Sequence, residues 1–292
     1  MKTKQVKHIF TPPPAHMVGD GFKVHNFFPY IPQIGKQGMS PFFLLDYNSK
    51  VTLTPTDKPR GVGVHPHRGF ETVTIAYHGK VAHHDSAGNS GVIEEGDVQW
   101  MTAASGVLHK EYHEKEFSKK GGFFQMVQLW VNLPAKYKMS KPKYQEITNK
   151  QMPKYKLPNN GGHIDIIAGE FMGLKGPAFT FTPIEMYNMK LKKGANIKLN
   201  FPEHYNTGIL MVEGNTTINE SDNAPANNFV FFKNEGEEIT VAANEDSVLL
   251  VLSGEPIKEP IAAHGPFLMN TMQEIQQAMI DFNDGKFGEL AD

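Results

Sequence analysis

At 292 residues the chain is longer than a typical single domain, and two domains of about 130–150 residues are expected. Its 39% hydrophobic content, with 20 Phe and 9 Tyr, is ample for packed cores, and 27 Gly with 20 Pro point to many turns between short strands. A net charge of −2 with a pI near 6.7 argues against a polyanion-binding surface, and the lack of cysteine excludes disulfide scaffolds and thiolate metal sites.

The first residues, Met1 to His8, are basic but lack the apolar run of a signal peptide. No stretch approaches the roughly 18 consecutive apolar residues of a membrane span. The expectation is a cytoplasmic protein with no membrane contact and no direct nucleic-acid binding. The basic pairs Lys119-Lys120 and Lys192-Lys193 read as solvated loop charges.

Residues 1–40 are irregular and proline-punctuated, with one alternating segment over 21–28 that suits a strand. Phe42 to Tyr47 reads as a short buried strand. From Val62 the pattern is strand and turn. Thr72–Tyr77, Lys80–Asp85, Val92-Ile93, Val98–Thr102, Gly106–Glu111 and Phe123–Asn132 follow one another with glycine turns between. That spacing means a sandwich or barrel. Residues 135–162, rich in Lys, Pro and Asn, read as a connector. A second strand-rich region, Ile164 to Ser253, repeats the rhythm of the first, Thr207–Gly214 echoing Thr72–Gly79. The chain is expected to end in a helix capped by Thr271 and Glu274 and stopped at Gly285. Its apolar stripe would be Met272, Ile275, Met279 and Phe282.

Within the first region, His65 and His67 stand two apart, and so do His109 and Glu111. In a strand such pairs face one way. If both strands line one cavity, three imidazoles and a carboxylate converge on a metal. A set of nitrogen and oxygen donors suits Fe(II), Mn(II), Ni(II), Cu(II) or Zn(II). His113 shares the parity of His109 and is the rival imidazole; Glu71 shares that of His67 and is the rival carboxylate. His83 and His84 flank a turn and read as exposed. His8, His16, His25, His78, His163, His204 and His264 have no spaced partner and read as structural. In the second region, alignment places Asn200, Pro202 and Asn206 where the first has His65, His67 and Glu71, so no metal site is expected there.

The string Val64-His65-Pro66-His67-Arg68-Gly69-Phe70-Glu71-Thr72-Val73-Thr74 resembles the signature of the pirin family of the cupin superfamily. So do residues 96–103, Gly106–Glu111, and later 168–170 and 260–271. The likeness covers nearly the whole chain. It implies an all-β bicupin of two double-stranded β-helix (jelly-roll) barrels with a short C-terminal helix. Residues 1–135 would form the N-terminal metal-bearing barrel, and residues 136–292 the metal-free C-terminal barrel with the helix. By residue-wise carry-over the ligands are His65, His67, His109 and Glu111, with Glu111 ranked above Glu71, and the metal is Fe(II). Ala104-Ser105 departs from many cupins, which carry a proline there; the turn should differ, not the ligands. Some pirins resemble quercetin 2,3-dioxygenases, which implies a planar flavonol substrate and a catalytic role for Glu111. The alternative implied by the family is a redox-sensitive regulator acting through a protein partner.

Overall fold

The computed structural model describes residues 2–291 and is built almost wholly of antiparallel strands. The chain forms two compact units. One comprises residues 14–29, 42–149 and 257–292; the other comprises residues 1–13, 30–41 and 150–256. This differs from a single cut after residue 135. The Val6–Phe10 strand pairs with Phe229–Phe232 and so belongs to the later unit. The C-terminal hairpin and helix belong to the earlier one, where Ile275 and Ala278 pack with Phe267, Met269 and Phe287.

In the earlier unit a seven-stranded sheet runs in the order Lys143–Ile147, Val98–Thr102, Phe70–His78, Gly122–Asn132, Phe42–Leu53, Phe22–Phe28, His16–Val18. The second sheet has the order Gly61–His67, Val107–His113, Val81–Asp85, Ser90–Ile93. Phe22, Val24, Ala76, Phe124 and Met126 from the first meet Val81 and Ile93 from the second in one core. Burying an alternating face of each sheet against the other drives this closure. The expected connector is only partly irregular, because Lys143–Ile147 adds an edge strand to Val98–Thr102. Phe42–Tyr47 is likewise the start of a longer strand that reaches Leu53.

The later unit repeats the seven-plus-four arrangement with its own strands. Its interior is filled by a continuous apolar cluster that includes Tyr187, Met189, Leu199, Phe201, Met211 and Phe232. Asn206 spends its amide on the carbonyls of Ser40 and Gln37, at 2.7 and 3.2 Å. Among the described residues no cluster of three or more potential metal ligands lies in this unit.

The terminal helix spans Met272–Asn283 and begins with the Thr271–Glu274 capping box. Gly285, at φ 73°, follows its end. The buried face is only half the expected stripe, Ile275 with Met279 packed beside it. Ile275, Ala278 and Asp281 point inward, while Met272 and Phe282 are exposed. Asp281 turns in because it has a buried partner, Arg68. Among the described residues no helix is long and apolar enough to cross a membrane.

Candidate metal centre

The Gly61–His67 and Val107–His113 strands pair antiparallel with His65 directly opposite His109. Opposed residues of an antiparallel pair present their side chains on one face, and His67 shares the face of His65. The three rings therefore converge, with centroids 4.2 Å apart for His65 and His109, 4.7 Å for His67 and His109, and 4.8 Å for His65 and His67. One ligating nitrogen from each lies within 4.8 Å of the others.

The hydrogen bonds around the rings decide which nitrogens are free. His65 Nδ1 bonds the Gly63 carbonyl at 2.8 Å, and His67 Nδ1 bonds the Pro266 carbonyl at 3.3 Å. A carbonyl can only accept, so both Nδ1 atoms carry the proton and both Nε2 atoms keep a lone pair. His109 is buried with neither ring nitrogen hydrogen-bonded. A buried polar atom without a partner costs about 1–3 kcal/mol, so its place here is explained by a ligand it is built to meet. Burial, then the neighbouring imidazoles, holds His67 and His109 well below the usual histidine pKa. Neutral imidazole is the form that binds a metal. The donor set thus fits a borderline transition metal.

The turn that follows His67 is fixed by Gly69, at φ 90°, where a Cβ would come within 2.0 Å of the Leu268 carbonyl oxygen. Lys138 is buried there and donates to the carbonyls of Gly69 and Leu268 and to Asn132 Oδ1. Arg68 donates from Nε to the Ser105 carbonyl and from a terminal nitrogen to Asp281, each at 2.7 Å. The segment from residue 257 onward is thereby tied to the histidine-bearing strand of its own unit.

Glu111 lies beside the triad but is not among its converging atoms. Its Oε1 accepts from Thr74 at 3.1 Å and its Oε2 from Gln128 at 2.7 Å. Burial raises its carboxyl pKa, opposed by His65 and by those two bonds. His65, Glu111, Gln128 and Asp46 form the polar side of a cavity whose other walls are Val18, Phe22, Val24, Val62 and Met126. The cavity is small, about 320 Å³ with the open mouth counted in.

The two rival ligands fall elsewhere. His113 packs against Phe22 and Phe124, at 5.3 and 4.5 Å, outside the cluster. The parity that linked Glu71 to His67 is broken by the Arg68-Gly69 turn. Glu71 stands three residues from Thr74 on one strand, so it faces the opposite side of the sheet from Glu111's partner; there it accepts from Thr102 at 2.7 Å. Burial pushes its carboxyl up to about 7. His83 is not exposed, as expected, but buried. It sits opposite Glu111 across the strand pair, and its Nε2 meets the Tyr144 hydroxyl at 2.6 Å. His84, next along, faces outward onto Tyr112. Thr74, Gln128, Asp46 and Pro266 were not singled out in the sequence. Thr74 and Gln128 carry one readable signal, a polar residue at an inward position of a strongly apolar strand.

Residues 21–131 match the pirin family model and residues 186–288 that of the pirin C-terminal cupin domain. The structure superimposes on a crystal structure of quercetin 2,3-dioxygenase from Acinetobacter baumannii with a TM-score of 0.94 and 46% identity, covering 99% of this chain and 100% of that one. Human pirin is 35% identical over 257 residues, 86% of this chain and 84% of its own. A pirin-like protein of Solanum lycopersicum is 39% identical over 255 residues, 86% and 83% of the two chains. The chain belongs to the pirin family, and its fold is that of a two-domain cupin.

Proposed function

We propose that this pirin-family chain is a metal-dependent dioxygenase that opens the ring of a flavonol such as quercetin, with Fe(II) as the working metal. His65, His67 and His109 would hold the ion through Nε2 or, for His109, either nitrogen, with Glu111 as the fourth ligand. The observation that carries the reading is His109, buried with two unpartnered nitrogens and facing two imidazoles whose Nε2 lone pairs are free. Bound there, the metal supplies Lewis acidity toward a substrate hydroxyl and redox chemistry toward dioxygen.

The protein's own residues supply the rest. Detached from the ion, Glu111 would take the proton of the substrate hydroxyl, and burial raises its affinity for that proton. Thr74 and Gln128 fix the direction of its two oxygens. The apolar wall of Val18, Phe22, Val24, Val62 and Met126 takes an aromatic edge and keeps water from the reacting oxygens. Support for flavonol as substrate comes from the quercetin dioxygenase of A. baumannii, whose chain matches this one end to end.

The test is anaerobic reconstitution with Fe(II), then addition of quercetin and dioxygen. Metal-dependent loss of the flavonol absorbance with release of carbon monoxide is expected. A fully loaded protein that leaves quercetin unchanged would refute the enzymatic reading and favour a redox regulator working through a protein partner.

A further inference from the structure

The inner face of the seven-stranded sheet carries a feature that the proposed reaction does not use. Cross-strand pairing sets Gln99 opposite Thr74, Thr74 opposite Gln128, Gln128 opposite Asp46, and Asp46 opposite Asn26. Directly opposed residues share a face, so five polar side chains form one row across five strands. Thr74 and Gln128, at its centre, hold Glu111. A polar row on the inner face of a small barrel gives up apolar burial, and satisfying its own members does not account for it. Asn26 Oδ1 and both amide atoms of Gln99 are buried without a hydrogen-bond partner.

Asp46 is the member of this row, besides Gln128, that reaches the cavity. It is buried, and its carboxylate is bonded by Asn26 Nδ2 at Oδ1, at 2.7 Å, which leaves Oδ2 without a bond. Two carboxylates, Asp46 and Glu111, therefore face one small space that no lysine or arginine lines. Such a space repels an anion and favours a neutral donor of hydrogen bonds.

Resting on the flavonol reading above, we propose that Asp46 is a second anchor of the cavity and accepts a hydrogen bond from a substrate hydroxyl remote from the oxygens that meet the metal centre. The substrate class is then an uncharged polyhydroxylated aromatic, and a carboxylate in the same position is rejected. Asp46 acts in recognition. It takes no proton in the reaction, and its cross-strand neighbour Gln128 bonds Glu111.

The experiment compares quercetin with galangin, the flavonol that lacks its two outer-ring hydroxyls. Each is titrated anaerobically into the metal-loaded full chain, and the dissociation constant is read from the flavonol absorbance. Wild type should bind quercetin about tenfold or more tightly than galangin, the worth of a bond to a charged acceptor. Asp46→Ala should abolish the preference by weakening quercetin alone, and Asp46→Asn, which keeps the shape and a neutral acceptor, should reduce it severalfold. Thermal melting of both variants reports folding, and Asp46→Asn decides the matter if the alanine variant unfolds. Equal affinities in wild type, or equal effects of folded Asp46→Asn on both flavonols, would overturn the anchor while leaving the flavonol reading intact. Binding of neither flavonol by metal-loaded wild type would overturn both.

Discussion

Asp281→Ala is the sharpest probe of how the C-terminal helix supports the metal centre. Arg68 and Asp281 form an ion pair at 2.7 Å with side chains only 5% and 11% exposed. The guanidinium also lies over the Phe287 ring, 4.6 Å from its centroid, and bonds the Ser105 carbonyl. Asp281 in turn accepts from Lys286 and Gln277. Removing the carboxylate strands a buried cation, which costs about 3–5 kcal/mol. For a unit of this size that is a fall in Tm of about 10 °C. Bonds from Lys286, Arg68 and Gln277 hold the Asp281 carboxyl well below its ordinary pKa. A depressed folded-state pKa contributes stability that is full above the unfolded value, about 3.9, and is lost as pH falls through the folded value. The gap between wild type and variant should therefore be complete at pH 7 and shrink below about pH 4. Scanning calorimetry of the metal-free protein across that range measures it. A difference under about 1 °C at pH 7, or a gap that widens toward acid, would refute the reasoning. Because Arg68 follows His67 directly, the same variant should bind metal about 10–100-fold more weakly.

Three further expectations follow from the same unit. Gly69→Ala places a side chain at φ 90° against the Leu268 carbonyl, so it should cost at least about 2 kcal/mol in denaturant melts and weaken metal binding with it. Glu71 has its folded pKa raised to about 7, so wild type loses stability as pH rises from about 4.5 to 7 and the loss is complete above; Glu71→Gln should flatten that slope, gaining at most about 3 kcal/mol at neutral pH. Chelation should lower Tm, by about 5–10 °C relative to protein held at a hundredfold excess of free metal over its Kd, and His65→Ala should abolish the difference.

The histidine triad was legible because strand parity is local: residues two apart share a face wherever the strand runs unbroken, as at His65 and His67. Parity failed where a turn intervened. Arg68 and Gly69 lie between two strands, and the count from His67 to Glu71 crosses them. It also corrects His83, which pairs with Glu111 and so must face inward while its neighbour His84 faces out. The capping box at Thr271 was readable for the same local reason. What could not be read was long-range. Pro266 reaches His67 from 199 residues away, and Asp281 reaches Arg68 from 213. A carbonyl leaves no mark of its own in a sequence, and an aspartate on the inner face of a helix looks like a break in its apolar stripe until its partner is known. The return of residues 257–292 to the earlier unit, and of residues 1–13 to the later one, has no periodic signal either. The apolar interior of the second barrel, packed with Tyr187, Phe201 and Met211, is a property of the fold that no local pattern announces.

The proposed centre is one metal held by His65, His67 and His109 in the earlier unit. Element-resolved metal analysis of untagged protein, before and after anaerobic Fe(II) loading, tests this most directly when run on wild type and on His109→Ala. One metal per chain in wild type and almost none in the variant, with circular dichroism unchanged, is the predicted result. Equal metal in both proteins, or none retained by wild type after loading, would contradict it.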